Sequence, residues 1–178
     1  DYFKANNMKY QVVAIENSDE VLKASDEGRC DIFTTDQSGL YAERNKLATP
    51  DEHVVLPEII SKDPLGPVVR QGDDAWFNVV KWTYFALLNA EELGITQANV
   101  EEMKGSANPE IKRILGVPNA DGTAAGFGTG IGISEDWVVQ IVKGVGNYAE
   151  IFERNVGQAT PLKIARGKNA LWSAGGLQ

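Results

Sequence analysis

The chain of 178 residues has one cysteine, Cys30, and one histidine, His53. A lone thiol closes no disulfide within the chain. Cys30 therefore reads either as a small buried hydrophobe or as half of a bridge whose partner lies outside this sequence, and it does not settle the redox compartment. His53 sits in the polar run Asp51-Glu52-His53-Val54 and reads as a loop residue ahead of a strand, not as a general base. The patterns H-E-x-x-H, C-x-x-C and G-x-S-x-G are missing, and neither Cys30 nor His53 lies at a turn that would activate a nucleophile. No metal-ligand spacing and no cofactor motif is found. Long apolar runs are scarce as well. The longest apolar-rich stretch, Trp76 to Leu93, carries Lys81, Asn89 and Glu91, short of the roughly 18 apolar residues that a membrane span needs. Positive charge is in deficit, with 17 Lys and Arg against 25 Asp and Glu and a net charge of -8. Such a surface repels phosphodiester backbones, so nucleic-acid binding is disfavoured.

What remains is enough for a soluble globular core: 43% of residues are hydrophobic and 24% charged. The chain opens on Asp1 and reads as if it began in mid-element. Tyr2 and Phe3 look like the last turn of a helix stopped by Asn6 and Asn7, which suggests a piece of a longer polypeptide. Met8 to Glu16 reads as a buried strand. Asn17 with Glu20 resembles a capping box, opening a helix through Val21, Leu22 and Ala24 that stops at Gly28. Cys30 to Thr35 is a short strand, and Asp36 or Ser38 starts a helix carrying Leu40, Tyr41, Arg44 and Leu47. His53 to Ile60, interrupted by Pro57, is an edge or crossing strand. Leu65 to Asp73 is a further short strand. This alternation predicts an α/β fold with a largely parallel sheet.

From Asp73 the pattern turns helical. Asp73 or Asp74 caps a long helix bearing Trp76, Val79, Val80, Thr83, Leu87 and Ala90, closed by Gly94. A short helix runs from Thr96 through Met103. Asn108-Pro109 opens the next, which stops at Gly116. Ser134 is expected to cap one last long helix, with a stripe from Val138 to Val156, ending at Gly157. Between these lies Gly116 to Gly132, with glycines alternating at 126, 128, 130 and 132. That spacing misses G-x-G-x-x-G and no P-loop Lys follows, so a flexible surface loop is expected.

Paired carboxylates at Asp73-Asp74, Glu91-Glu92, Glu101-Glu102 and Glu135-Asp136 mostly fall at helix starts or on helix faces, where they suit the helix dipole or solvent. Asp36 is different. It stands at the carboxyl end of a strand, in TTDQSGL, where open parallel sheets bind ligands. A carboxylate there can accept charge-assisted hydrogen bonds from an ammonium group, with Thr35 and Gln37 as neutral neighbours. A plain helix N-cap is the alternative, and one residue can do both. The C-terminal stretches VGNYAEIFERNVG and PLKIARGKNALWSAGGLQ, with Arg166, Asn169 and Trp172, are long and specific but chemically inert, which marks a packing signature.

Those stretches, together with CDIFTTDQSGLYAERNKL and LPEIISKDPLGPVVRQGDDAWFNVVKWTYFALLNAEELGIT, resemble the general L-amino-acid periplasmic binding proteins of ABC importers over essentially the whole chain. The resemblance implies two α/β lobes joined by a two-strand hinge and closing over one amino acid. It implies capture in the periplasm and delivery to ABC permease subunits, without catalysis and without a cofactor. It also implies an incomplete two-lobed fold, with the N-terminal part of the first lobe and the first strand of the second outside the chain. Residues 1–61 then correspond to the remainder of the second lobe, 62–66 to the hinge return and 67–178 to the C-terminal part of the first lobe. On this resemblance Asp36 grips the ligand α-ammonium, with Thr35 and Gln37 as weaker contacts, and Cys30 has a disulfide partner in the missing second-lobe strand. A sheet stripped of its central strands leaves edges bare. The chain is thus expected to self-associate, to join a complementary N-terminal fragment, or to be poorly stable, and to bind free L-amino acids weakly or not at all by itself. Two other readings compete: an oligomerising fragment without ligand binding, and a two-lobed enzyme of the same scaffold, which would need a His, Cys or Lys base at the cleft.

Overall fold

Helices form where the sequence puts Asn or Asp ahead of an apolar stripe. The structure, a computed structural model, describes residues 1–61, 64–124 and 126–178. Within them the α-helices are α1 (Tyr2–Ala5), α2 (Ser18–Asp26), α3 (Gln37–Arg44), α4 (Asp74–Glu92), α5 (Val100–Met103), α6 (Pro109–Ile114), α7 (Trp137–Val145) and α8 (Tyr148–Asn155). Asn17, Asp73, Asn108 and Asn147 each accept a hydrogen bond from a first-turn N–H of the helix they precede, satisfying a donor that the helix itself cannot. At the end of α4, Gly94 N–H reaches Glu91 O at 3.0 Å and Ile95 N–H reaches Ala90 O at 2.7 Å. This is a Schellman closure, and its two apolar ends, Ala90 and Ile95, are fully buried.

The chain divides into two compact units: 1–65 with 161–164, and 66–160 with 165–178. The hinge return expected over 62–66 includes Lys62 and Asp63, which lie outside the described residues.

The second unit holds the core. Ala86 and Ala90 of α4, Ile95, Val100 of α5, Ile111 and Leu115 around α6, and Trp137, Val138, Val139 and Val142 of α7 form one buried cluster. The long helix expected from Ser134 to Gly157 is in fact two. Gly146, at φ 82°, ends α7, and Asn147 starts α8 with a reciprocal capping box: Asn147 Oδ1 accepts Glu150 N–H at 3.0 Å and Glu150 Oε2 accepts Asn147 N–H at 2.8 Å. A continuous helix would strand the buried Asn147 amide, which instead donates to Ile95 O at 2.9 Å. The Gly-rich segment lies largely at the surface, as expected, with Gly122, Gly130 and Gly132 facing open space, but parts of it are closely packed. A Cβ on Gly116 or Gly128 would collide with the backbone of Glu135 or Ser134, and one on Gly126 with the Glu135 carboxylate. Small residues are required there for close approach, not for mobility.

The first unit contains α1, α2 and α3. Leu22, Ala24, Leu47 and Ile164 are buried. Asp26 Oδ1 accepts Ala48 N–H at 3.3 Å, and Asn45 Nδ2 donates to Pro161 O at 3.3 Å. The segments expected as strands form no ladder: among the described residues there is no strand in either unit. Val12, Val13, Ile32, Val54, Leu56 and Val68 on those segments are exposed. An extended segment becomes a strand only when a neighbour at about 4.8 Å takes its N–H and C=O groups, and the described residues supply none.

Candidate functional site

Asp36 stands one residue ahead of α3, with φ -54° and ψ 139°. Its backbone carbonyl accepts Leu40 N–H at 2.9 Å, but its side chain caps nothing. That separates it from Asn17, Asp73, Asn108 and Asn147, whose side chains are all occupied by their own helices. The Asp36 carboxylate is exposed, as are Thr35 and Gln37 on either side. Gly39 allows Thr35 to fold over the first turn, its methyl 3.4 Å from where a Cβ would sit. Chain adjacency at a helix start is what brings the three together. The arrangement offers one uncommitted anionic acceptor flanked by a hydroxyl and an amide, suited to a cationic nitrogen.

The other candidates do different work. His53 Nδ1 donates to Thr49 O at 2.9 Å, a link within the loop that ends the short 3-10 turn Pro50–Glu52. Cys30 is half-buried with a free thiol. Among the described residues no group of three or more His, Cys, Asp or Glu side chains is placed to hold a metal ion. A groove of about 170 Å³ in the second unit is lined by Pro67, Val69, Phe77, Val80, Lys81, Tyr84 and Phe85. It is apolar and lacks a carboxylate.

The C-terminal signature is a clamp inside the second unit. Arg166 Nη2 lies 2.9 Å from both oxygens of Glu91 and donates to Asn169 O at 2.8 Å. Its guanidinium stacks over the rings of Tyr148 at 5.4 Å and Phe152 at 5.3 Å. Trp172 Nε1 donates to Glu92 at 3.2 Å, and Tyr84 donates to the Gln178 side chain at 3.1 Å. Glu91 is therefore an anchor for the tail, while Glu92 stays exposed and accepts the Trp172 N–H at the surface. Burial pushes the Tyr148 phenol up, the neighbouring Tyr84 and Glu91 add to the rise, and Arg166 opposes it.

Two further carboxylates brace the unit. Hydrogen bonds from Lys143 and Lys104 hold Glu101 below the ordinary carboxylate value. The Thr129 hydroxyl and N–H do the same to Glu135. Sequence reasoning missed Glu91, Asn147 and Glu135 as organising residues. Only Asn147 had a readable signal, the Asn-x-x-Glu spacing already recognised at Asn17 and Glu20.

No protein-family model matches the chain. Curated relatives do. The general L-amino acid-binding periplasmic protein AapJ of Rhizobium johnstonii is 63% identical over all of this chain and 51% of its own length. The putative amino-acid ABC transporter-binding protein YhdW of Escherichia coli is 54% identical over 100% of this chain and 51% of its own. The glutamate/glutamine/aspartate/asparagine-binding protein BztA of Rhodobacter capsulatus is 47% identical over 99% and 51%. Among solved structures, an ABC transporter periplasmic binding protein from Brucella ovis with glutathione bound is 62% identical with a TM-score of 0.84, covering 99% of this chain and 54% of that one. The chain spans about half the length of the curated relatives it matches. Its fold corresponds to an incomplete version of the two-lobed α/β fold. By sequence and by fold the chain is similar to about half the length of periplasmic amino-acid-binding proteins of ABC transporters.

Proposed function

We propose that this chain forms part of a periplasmic receptor that captures amino acids and delivers them to an ABC permease, and that Asp36 neutralises the ligand's α-ammonium. The observation that carries this is the Asp36 carboxylate, exposed at a helix start and unused as a cap. Thr35 and Gln37 add neutral hydrogen bonds beside it. In this reading residues 1–61 belong to the ammonium-gripping second lobe, 62–66 to the hinge return and 67–178 to the C-terminal part of the first lobe. The role is capture without catalysis: the relatives are named as binding proteins. The periplasmic setting is likewise taken from the relatives' names. No helix of the described residues is long and apolar enough to cross a membrane.

The ligand class is set by the head group. A free α-amino acid and the γ-glutamyl end of glutathione both present an α-ammonium beside an α-carboxylate, so one carboxylate at Asp36 serves both. The test is Asp36→Ala in a full-length protein containing this chain, with binding measured by calorimetry. Loss of a charge-assisted contact lowers affinity by about 2 kcal/mol or more. Unchanged affinity removes Asp36 from the site. The 178-residue chain by itself is expected to bind free amino acids weakly or not at all, and micromolar binding by calorimetry would contradict that expectation.

A further inference from the structure

The chain passes between its two units three times, at 65–66, 160–161 and 164–165. The first crossing borders the hinge return. The other two bracket Pro161–Ile164, four residues of the first unit set inside a tail that otherwise belongs to the second. This excursion goes beyond the family resemblance, which places all of 67–178 in one lobe. Each unit holds the chain up to the crossings. On the entry side Gly157 N–H donates to Phe152 O at 3.0 Å, and the Thr160 N–H and hydroxyl donate to Gly157 O at 3.0 and 2.8 Å. The next residue, Pro161, has its φ fixed by its own ring, and its carbonyl accepts Asn45 Nδ2 in the first unit at 3.3 Å. Lys163 turns the chain at φ 51°, a left-handed conformation uncommon for a residue with a Cβ. Ile164 is then buried among the first unit's residues. On the exit side only Ala165 separates Ile164 from Arg166, which the second unit grips through Glu91, Asn169 O and the rings of Tyr148 and Phe152.

We propose that Pro161–Ile164 is a strap, a second tether beside the hinge return, that limits how far the two units move apart. The argument is the lack of slack. Ile164 and Arg166 are two peptide steps apart, so their Cα atoms can separate by no more than roughly 7 Å. Thr160 and Pro161 are adjacent, so the entry side is tighter still. A segment seated in one unit and bound in the other within a residue or two of each crossing transmits any separation straight to its anchors. The units then move freely only if Ile164 leaves its seat or Arg166 leaves Glu91. This makes the C-terminal signature a conformational device as well as a packing one: Arg166 is the fixed end of the strap and Ile164 the end that releases. In the receptor proposed above, the strap sets how widely the ligand-free lobes open. That consequence rests on the receptor reading, whereas the strap rests on connectivity and anchoring and not on Asp36.

The test measures the separation of the units in the 178-residue chain without ligand, so its outcome is independent of the receptor reading. Spin labels go on Lys23→Cys in the first unit and Lys112→Cys in the second, both exposed, with Cys30→Ser removing the native thiol. Pulsed electron resonance then gives the distribution of distances between them. Six Gly and Ser residues inserted between Thr160 and Pro161, and six more between Ile164 and Ala165, leave both anchors intact but add slack. Each insert has a reach of roughly 12–15 Å, so the distribution should broaden by on the order of 10 Å. The same insert between Asp121 and Gly122, in an exposed turn within the second unit, should leave it unchanged. Ile164→Asp, which unseats the strap, should broaden it as the double insertion does. Amide exchange separates release from unfolding: in the double-insertion variant, α2 and α7 should exchange as in the parent. A parent distribution already as broad as that of the double-insertion variant, no broadening on double insertion, equal broadening from the control insert, or broadening accompanied by faster exchange in α2 or α7 would each overturn the proposal.

Discussion

The two units are built from the same kinds of element, yet only the second closes a core. Its helices bring ten buried apolar residues into one cluster, whereas the first unit buries Leu22, Ala24, Leu47 and Ile164. The difference follows from what each unit's elements need. A helix satisfies its own backbone and asks its neighbours only for apolar contact, so α4, α5, α6 and α7 can complete one another. A strand must find its hydrogen-bonding partner in another segment. The first unit is rich in such segments, 8–16, 30–35 and 53–60, and none is paired among the described residues. Its helices α2 and α3 therefore have no sheet to cover. Local completeness of hydrogen bonding thus separates the unit that packs from the unit that stays open.

That contrast can be broken most forcefully in the core. Leu115→Ala, at a position 1% exposed, should destabilise the second unit by about 2–5 kcal/mol. Leu22→Ala in the first unit should cost less, because Leu22 is buried outside the ten-residue cluster and keeps 8% exposure. Denaturant unfolding followed by circular dichroism measures both, and equal costs would dissolve the distinction. Arg166→Met comes next. It leaves Glu91, 13% exposed at its side chain, without its cation and should cost about 1–3 kcal/mol. Amide exchange across the C-terminal tail should accelerate with it, whereas exchange in α2 and α3 should not change. Asn147→Ala removes the α8 cap and the bond to Ile95, for about 1–2 kcal/mol, read from the thermal midpoint.

The smallest effect is acid sensitivity. Glu101 and Glu135 are held below the ordinary carboxylate value of 4.5 by their hydrogen bonds. Groups depressed on folding contribute stability that is present above their unfolded pKa and lost as pH falls through the folded one. Cooperative unfolding of the second unit should therefore weaken progressively below about pH 4.5. Thr129→Val should flatten the part due to Glu135, and a profile unaltered by that change would exclude Glu135 as a contributor.

Helix positions were legible from residue spacing. Asn17, Asp73 and Asn108 were readable as starts, and Gly28, Gly94 and Gly116 as stops, because capping is decided within a few residues. The single helix expected from Ser134 to Gly157 misled for a physical reason. Its apolar stripe is continuous across Gly146 and Asn147, and only the buried acceptor at Ile95 O makes the break worthwhile. The Gly-rich segment was only partly legible: Gly130 and Gly132 face open space as the alternation implies, but Glu135 and Ser134 crowd Gly126 and Gly128. The C-terminal signature was recognisable as packing before any contact was known, but its partners Glu91 and Glu92 lie 75 and 80 residues away in sequence.

The sequence by itself determined the helices, their caps, the apolar stripes and the prominence of Asp36, since each depends on neighbours a few positions apart. It also carried the family resemblance. Tertiary structure alone decided that Asp36 caps nothing, that Arg166 closes on Glu91 between two aromatic rings, and that the extended segments stand unpaired. Those outcomes depend on groups distant in the chain, and backbone pairing, burial and ion-pair geometry exist only once such groups have met.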